Sequence, residues 1–308
     1  MRSYFLKRLL WFFPVLLGVS LVVFFFIHLI PGDPVLMMLG ESAQSGQVEN
    51  LRHQLHLDLP LHRQLILFFA DLLQGKMISI FYQKPVLEVI FPKLAATLEL
   101  ALSAMLIAIL IALPIGILSA LRKNSWFDFL ARIFSLLGVS VPNFWMGPLL
   151  ILLFSIRLGW LPVSGKDGIL HLILPALTLG LAMSGFLSRM SRASMLEVLG
   201  AKYLESARAK GLKEAAVILK HALRNALIPI LTVIGLQFGA LLSGAVITET
   251  IFAWPGIGRL LINAIFSRDF PLVQACVLII SFSYLVVNLL VDLCYALADA
   301  RVRLWREK

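Results

Sequence analysis

Long apolar runs separated by short charged segments set the pattern of this chain. Six of the runs, at about residues 9–30, 100–121, 133–156, 168–187, 226–248 and 272–291, are long enough to cross a bilayer, which takes about 20 apolar residues. In lipid the backbone finds no water to bond, so each run must be helical. The expected fold class is an all-α membrane protein with six transmembrane helices. Pro114, Pro142, Pro148 and Pro175 interrupt or border these runs. A proline frees a carbonyl and bends the helix, which suits a bundle that moves.

The chain is organised around the charged segment between the fourth and fifth runs, residues 189–224. Eight Lys/Arg and three Glu lie in it, with Gly200 and Gly211 as punctuation. Leu196, Leu199, Tyr203 and Ala207 recur at i, i+3, i+7, i+11, and Leu212, Ala216, Leu219 and Leu223 at i, i+4, i+7, i+11. The spacing predicts two short amphipathic helices with a break at Gly211. Such a loop either lies solvated on its own protein or offers a knob to a partner.

Composition excludes a soluble domain. The chain has 308 residues, 60% hydrophobic and 14% charged, against about 45–50% and 25% in soluble proteins. A net charge of +10 would suit nucleic acid, but the charges fall in short segments between apolar runs, so the expected contact is membrane lipid. Lys/Arg placement orients the chain. Eighteen fall in the segments that share a side with both termini and residues 189–224, and nine on the other side. The positive-inside rule puts both termini and the central loop in the cytoplasm. Arg2, Lys7 and Arg8 precede a first run longer than a signal-peptide core, so it reads as a retained anchor. Cys276 and Cys294, on one apolar run, would stand roughly 27 Å apart along a helix, beyond disulfide reach.

Several polar residues stand out against this background. His53, His56 and His62 cluster in the first outer segment, where Asp58 is a possible fourth ligand, but no metal set is complete and none is assigned. Leu61, Leu65, Phe68, Phe69 and Leu72 there form a stripe for a helix on the outer membrane face or on the bundle. Asn143 reads as a polar group buried in the third run, for an interhelical bond or for the translocation path. Glu99 and Glu249 lie near the outer ends of the second and fifth runs and are candidates for the pathway or for a partner contact; Asp292 near an inner end suits a cytoplasmic arginine. Gly180, Gly185, Gly235 and Gly239 permit close helix approach, by internal packing or at a dimer seam. Trp254, in Trp-Pro-Gly at the end of the fifth run, suits a membrane interface. Ile257, Leu260, Leu261, Ala264 and Ile265 predict a short helix after it.

Glu205-Ser206-Ala207, three residues, then Gly211 resembles the EAA-xxx-G loop of ABC-importer permeases, in the form of the dipeptide/oligopeptide/nickel branch. The common motif continues to I-x-L-P; here His221, Ala222, Leu223 and Arg224 take those places, within HALRNALIP as in the peptide branch. PGDP (31–34), LAATLEL (94–100), SVPNFW (140–145), LGWLPVSG (158–165), LPALTLG (174–180) and FAWPGIGRLL (252–261) appear in the order of that branch. The resemblance covers nearly the whole chain.

It implies a type I ABC-importer permease bundle with an outer-face loop domain after the first helix. The parts would be an N-terminal helix (1–30), a periplasmic or extracellular loop domain (31–95), a permease core (96–298) with its cytoplasmic coupling loop (189–225), and a tail (299–308). The implied setting is a bacterial inner membrane. The implied partners are a homologous second permease, two ABC ATPase subunits and an extracytoplasmic binding protein, with ATP and Mg held by the ATPases and no cofactor in this chain. Docking to an ATPase would fall to Glu205, Ala207, Gly211 and Leu212, with Glu205 offering charge, Ala207 allowing close approach and Gly211 setting the turn. The implied cargo is a di- or oligopeptide, with nickel or a metal chelate as the alternative. The residues agree on what is absent: no G-x-x-x-x-G-K-[ST], no H-E-x-x-H and no G-x-S-x-G occur. A secondary transporter or channel would need ionisable groups at mid-membrane, where this chain has almost none.

Overall fold

The computed structural model describes residues 2–29, 34–40 and 44–298. Pro31-Gly32-Asp33 and the tail beyond 298 lie outside the described residues, as does the side chain of Asp292. All named elements among the described residues are helical; one isolated antiparallel bridge joins Ile78 and Pro85. The elements are α1 (Arg2–Leu29), α2 (Pro34–Leu39), α3 (Ser45–Gln54), α4 (Leu61–Gln74), α5 (Val86–Leu121), α6 (Trp126–Ser140), α7 (Asn143–Leu150), α8 (Ile169–Leu199), α9 (Lys202–Ala209), α10 (Glu214–Ala216), α11 (Leu223–Gly244), α12 (Val246–Ile251), α13 (Ile257–Phe266) and α14 (Phe270–Ala298). Two π-helical turns, Ile151–Arg157 and Val217–Ala222, continue α7 and α10.

The chain forms two compact units, Met1–Thr97 with Pro255–Leu285, and Leu98–Trp254 with Val286–Lys308. In the first, α4 turns Phe68 into a core with Phe24, Met77, Ile90, Ile257, Leu260 and Leu272, and Leu65, Phe69 and Leu72 pack beside it. The α4 stripe therefore faces protein, and only Leu61 of the predicted set is exposed. Gly75, at φ 66°, ends the helix in the left-handed conformation. Buried Asp269 accepts hydrogen bonds from Ser79 Oγ (2.5 Å), Phe81 N (3.0 Å) and Leu272 N (3.2 Å), pinning the 77–86 loop to the start of α14. The histidines do not converge on one point. His53 Nδ1 lies 2.9 Å from Asp58 Oδ2, and His56 Nε2 lies 3.8 Å from Asp71 Oδ2.

Among the described residues, four helical stretches are long and apolar enough to cross a membrane: Val86–Leu121, Ile169–Leu199, Glu214–Leu242 and Phe270–Val291. The third predicted run departs from expectation. It starts seven residues earlier, at Trp126, and breaks at Val141-Pro142, where Trp126–Ser140 and Asn143–Arg157 meet at 103°. The cause is local. Pro142 has no N–H to bond back into α6, and its ring pushes Val141 to an extended ψ of 117°. Pro114 and Pro175, by contrast, lie inside the continuous helices α5 and α8.

The second unit packs by close approach. Gly138 of α6 and Gly185 of α8 meet so tightly that a Cβ on Gly138 would lie 2.9 Å from the Gly185 Cα. A Cβ on Gly235 of α11 would meet the Val291 side chain at 2.1 Å. These glycines of the second unit serve internal packing. Leu187, Ile230 and Ala112 fill one core cluster, and Leu150, Leu174 and Phe252 another.

Candidate functional site

The charged loop folds as a hairpin of short helices at the end of α8. Helix α8 runs through Arg189 and Arg192 to Leu199, and Gly200-Ala201 ends it before α9 begins. The predicted first helix is therefore split. Leu204 and Ala207 are the inward residues of α9, while Tyr203 is exposed. At Gly211 the backbone takes φ 76°, with its N–H bonded to Arg208 O at 2.9 Å. Only glycine adopts that region without strain. An added Cβ would meet nothing within 4 Å, so backbone conformation and not space selects glycine here.

The return strand of the hairpin corrects the second predicted stripe. Leu212 and Leu219 are exposed, and the inward residues are Val217, Ala222 and Ala226. Leu212 lies in the loop before Glu214; beyond it, the π-helical turn Val217–Ala222 adds a residue to the turn by i→i+5 bonding and rotates the buried face. Val217, Ala222 and Ala226 close a core with Leu204, Ala207, Met195 and Ala120. Ala207 is thus covered by its own chain, and its small side chain lets α9 settle on that core.

Polar bonds hold the hairpin in shape. Arg208 clamps Glu214 across the Gly211 turn, Nε to Oε2 at 3.1 Å and Nη2 to Oε1 at 2.9 Å. Those hydrogen bonds raise the Arg208 pKa above its ordinary value, with attraction from Glu214 and Glu205 adding to them. Asn225 Nδ2 donates to the Tyr203 hydroxyl at 2.8 Å, and Ser194 Oγ donates to Ala226 O at 2.9 Å where α8 meets α11. Left exposed are Tyr203, Glu205, Ser206, Gly211 and Leu212, the last with 42% of its surface accessible.

The three pathway candidates differ in their surroundings. Glu99 is ion-paired, its Oε2 lying 2.6 Å from Lys166 Nζ. Lys166 also lies over the Trp254 ring, 5.2 Å from its centroid. Trp254 is fully buried, which corrects its expected place at a membrane interface. It is turned inward by Ala253 at φ 49° and by its N–H bonding Glu249 O at 2.8 Å. Glu249 is fully buried on α12. Gly165 N donates to Phe252 O at 3.0 Å, joining the LGWLPVSG and FAWPGIG segments. Asn143 stands apart. It is the first residue of α7, just past the bend, and it is exposed, not buried within a span.

The most tightly bonded charges of this unit, Asp128 and Arg192, did not stand out in the sequence. Ser125-x-x-Asp128 was the legible signal: Asp128 N donates to Ser125 Oγ at 3.3 Å, the N-cap that starts α6.

Comparison with known proteins decides what the hairpin belongs to. The family model "Binding-protein-dependent transport system inner membrane component" matches residues 112–304, and its N-terminal companion matches residues 1–112. The chain belongs to this family. The permease is 44% identical over 304 residues to the glutathione transport system permease protein GsiC of Pectobacterium atrosepticum, covering 98% of this chain and 99% of that one. It is 43% identical over 332 residues to the dipeptide transport system permease protein DppB of Alkalihalophilus pseudofirmus, covering 98% of this chain and 100% of the other. In fold it resembles the MetNI methionine ABC transporter in inward-facing form, with TM-score 0.56 and 18% identity over 70% of this chain and 98% of that one. An amino acid ABC transporter solved with histidines gives TM-score 0.55 at 20% identity, over 68% of this chain and 94% of the other. The permease is a transporter subunit, an inner-membrane component of a binding-protein-dependent ABC importer.

Proposed function

We propose that the permease forms half of the translocation path of an ATP-driven importer for short peptides, glutathione and dipeptides being the first candidates. The observation that carries the reading is the hairpin at 202–216, prebuilt by its own core and by the Arg208–Glu214 clamp, with Glu205 and Leu212 left outward. A partner that docks there meets a surface already ordered, so little conformational freedom is lost on binding.

In this reading the chain crosses the membrane six times, α1 and the bent α6–α7 pair joining the four long helices. Both termini and residues 189–225 lie in the cytoplasm, and residues 31–95 face the binding protein outside. A homologous permease supplies the other half of the path. Two ATPase subunits hold ATP and Mg and grip the hairpin. Closure of the ATPase pair moves the hairpins, and the path alternates because the partners bind its two states with different affinity.

The test is co-purification of the permease with its ATPases in detergent, together with uptake of radiolabelled glutathione, Gly-Leu and nickel by cells that carry the intact system. ATPase capture that is lost in Glu205→Arg and Leu212→Asp, with peptide uptake abolished in parallel, is the expected outcome. Nickel uptake without peptide uptake would move the cargo to the metal branch. Solute movement by the reconstituted permease alone would replace the importer reading with a channel or secondary carrier.

A further inference from the structure

Helices α6 and α8 are joined at three levels along one face of each. At the first, the fully buried Asp128 carboxylate accepts from Arg192 Nε (2.6 Å) and Nη2 (2.9 Å), from Ser119 Oγ (2.5 Å) and from Asn124 N (3.0 Å). Two helical turns along, the Ser135 and Ser188 hydroxyls lie 2.8 Å apart. At the third level Gly138 and Gly185 touch backbone to backbone. Past this point α6 stops, and the chain turns by 103° at Pro142. At its other end α8 runs into the hairpin through Gly200.

We propose that α6 and α8 form one rigid strut, so that displacement of the hairpin is delivered undiminished to the bend at Pro142. This rests on the docking role of the hairpin. Two physical constraints carry the inference. Pulling Arg192 from Asp128 would take the bidentate partner from a fully buried carboxylate, which is strongly unfavourable. Sliding α6 along α8 by one residue would bring a side chain to a place where only a hydrogen fits, and packed interiors do not yield to that. Motion that cannot be absorbed between the helices is taken up where α6 ends. Asp128 and Arg192 are then positioning residues for the transport cycle, although neither touches cargo or ATPase.

The test uses the complete complex with its ATPases and binding protein in proteoliposomes, and reads ATP hydrolysis with and without binding protein. Ser135→Cys and Ser188→Cys are introduced together with Cys276→Ala and Cys294→Ala. Oxidation is expected to cross-link the pair and leave binding-protein-stimulated hydrolysis within about twofold of the reduced sample. Asp128→Asn is expected to keep basal hydrolysis and ATPase capture but to lose at least about fivefold of the stimulation. Asp128→Asn with Arg192→Gln, a neutral hydrogen-bonding pair, is expected to recover part of it. A cross-link that abolishes stimulation until reductant is added would show that the helices slide, and would overturn the strut. So would failure of the thiols to cross-link, or full stimulation in Asp128→Asn. If the ATPases do not associate even with the unsubstituted permease, the docking reading fails first, an outcome distinct from all of these.

Discussion

Ala207, Glu205 and Gly211 sit within seven residues of one another, yet their environments differ and so should the consequences of replacing them. Ala207 is buried against Leu204, Val217 and Ala222. Ala207→Leu should therefore act through folding, costing about 1–3 kcal/mol by overpacking and lowering the melting temperature in detergent. Glu205 is exposed, so Glu205→Ala should leave the melting temperature unchanged and weaken only ATPase capture. Gly211→Val faces no clash but must adopt φ 76°. The left-handed region disfavours other residues by about 1–2 kcal/mol, and a β-branched side chain is disfavoured further. The turn should open and uncouple transport while the helices stay folded, measured as retained helicity with lost uptake. Trp254 differs again. Its side chain is fully buried, and Trp254→Ala should cost about 3–5 kcal/mol through the cavity left behind. A melting temperature unmoved by that change would mean that the ring is not packed as described.

At the scale of elements, the break between α6 and α7 and the π turn before α11 both depart from regular helix, and the first has a local cause. Pro142 removes a donor and bars helical geometry at Val141. Pro142→Ala restores the donor. It should lengthen α6 toward α7 and lower the transport rate more than the stability, read as uptake against melting temperature in the same preparation. The Gly138–Gly185 contact leaves no room for a side chain between α6 and α8. Gly138→Val should drive the helices apart and cost about 1–3 kcal/mol; preserved stability in that variant would place the helices further apart than described here.

For the whole molecule, the division of labour follows from motif and family. The sequence contains no G-x-x-x-x-G-K-[ST] loop, and the chain belongs to a family of binding-protein-dependent transport components. In the proposed function the driving force enters from partner subunits through the ordered, exposed hairpin at 202–216. The permease reconstituted alone should move no peptide, and adding its partner subunits with ATP should restore uptake; uptake by the permease alone would refute this account.

The sequence by itself determined the all-helical class, the apolar lengths, the turn at Gly211 and the family. These depend on local residue chemistry: apolar run length, a glycine at a left-handed position, and short motifs in fixed order. It determined the buried face of α4 and of α13, but not that of the segment after Gly211. Leu219 was misassigned because helical periodicity assumes regular turns, and the π turn at Val217–Ala222 shifts the register; Leu212 lies in the loop before Glu214, outside any helix. Trp254 looked like an interface residue by type, and only the fold supplies the Lys166 ammonium and the inward turn at Ala253 that bury it. Asp128 and Arg192 are 64 residues apart, and Glu99 and Lys166 are likewise distant in the chain. Pairing at such separations is decided by how helices pack, whether the carboxylate is buried, as Asp128 is, or half-exposed, as Glu99 is.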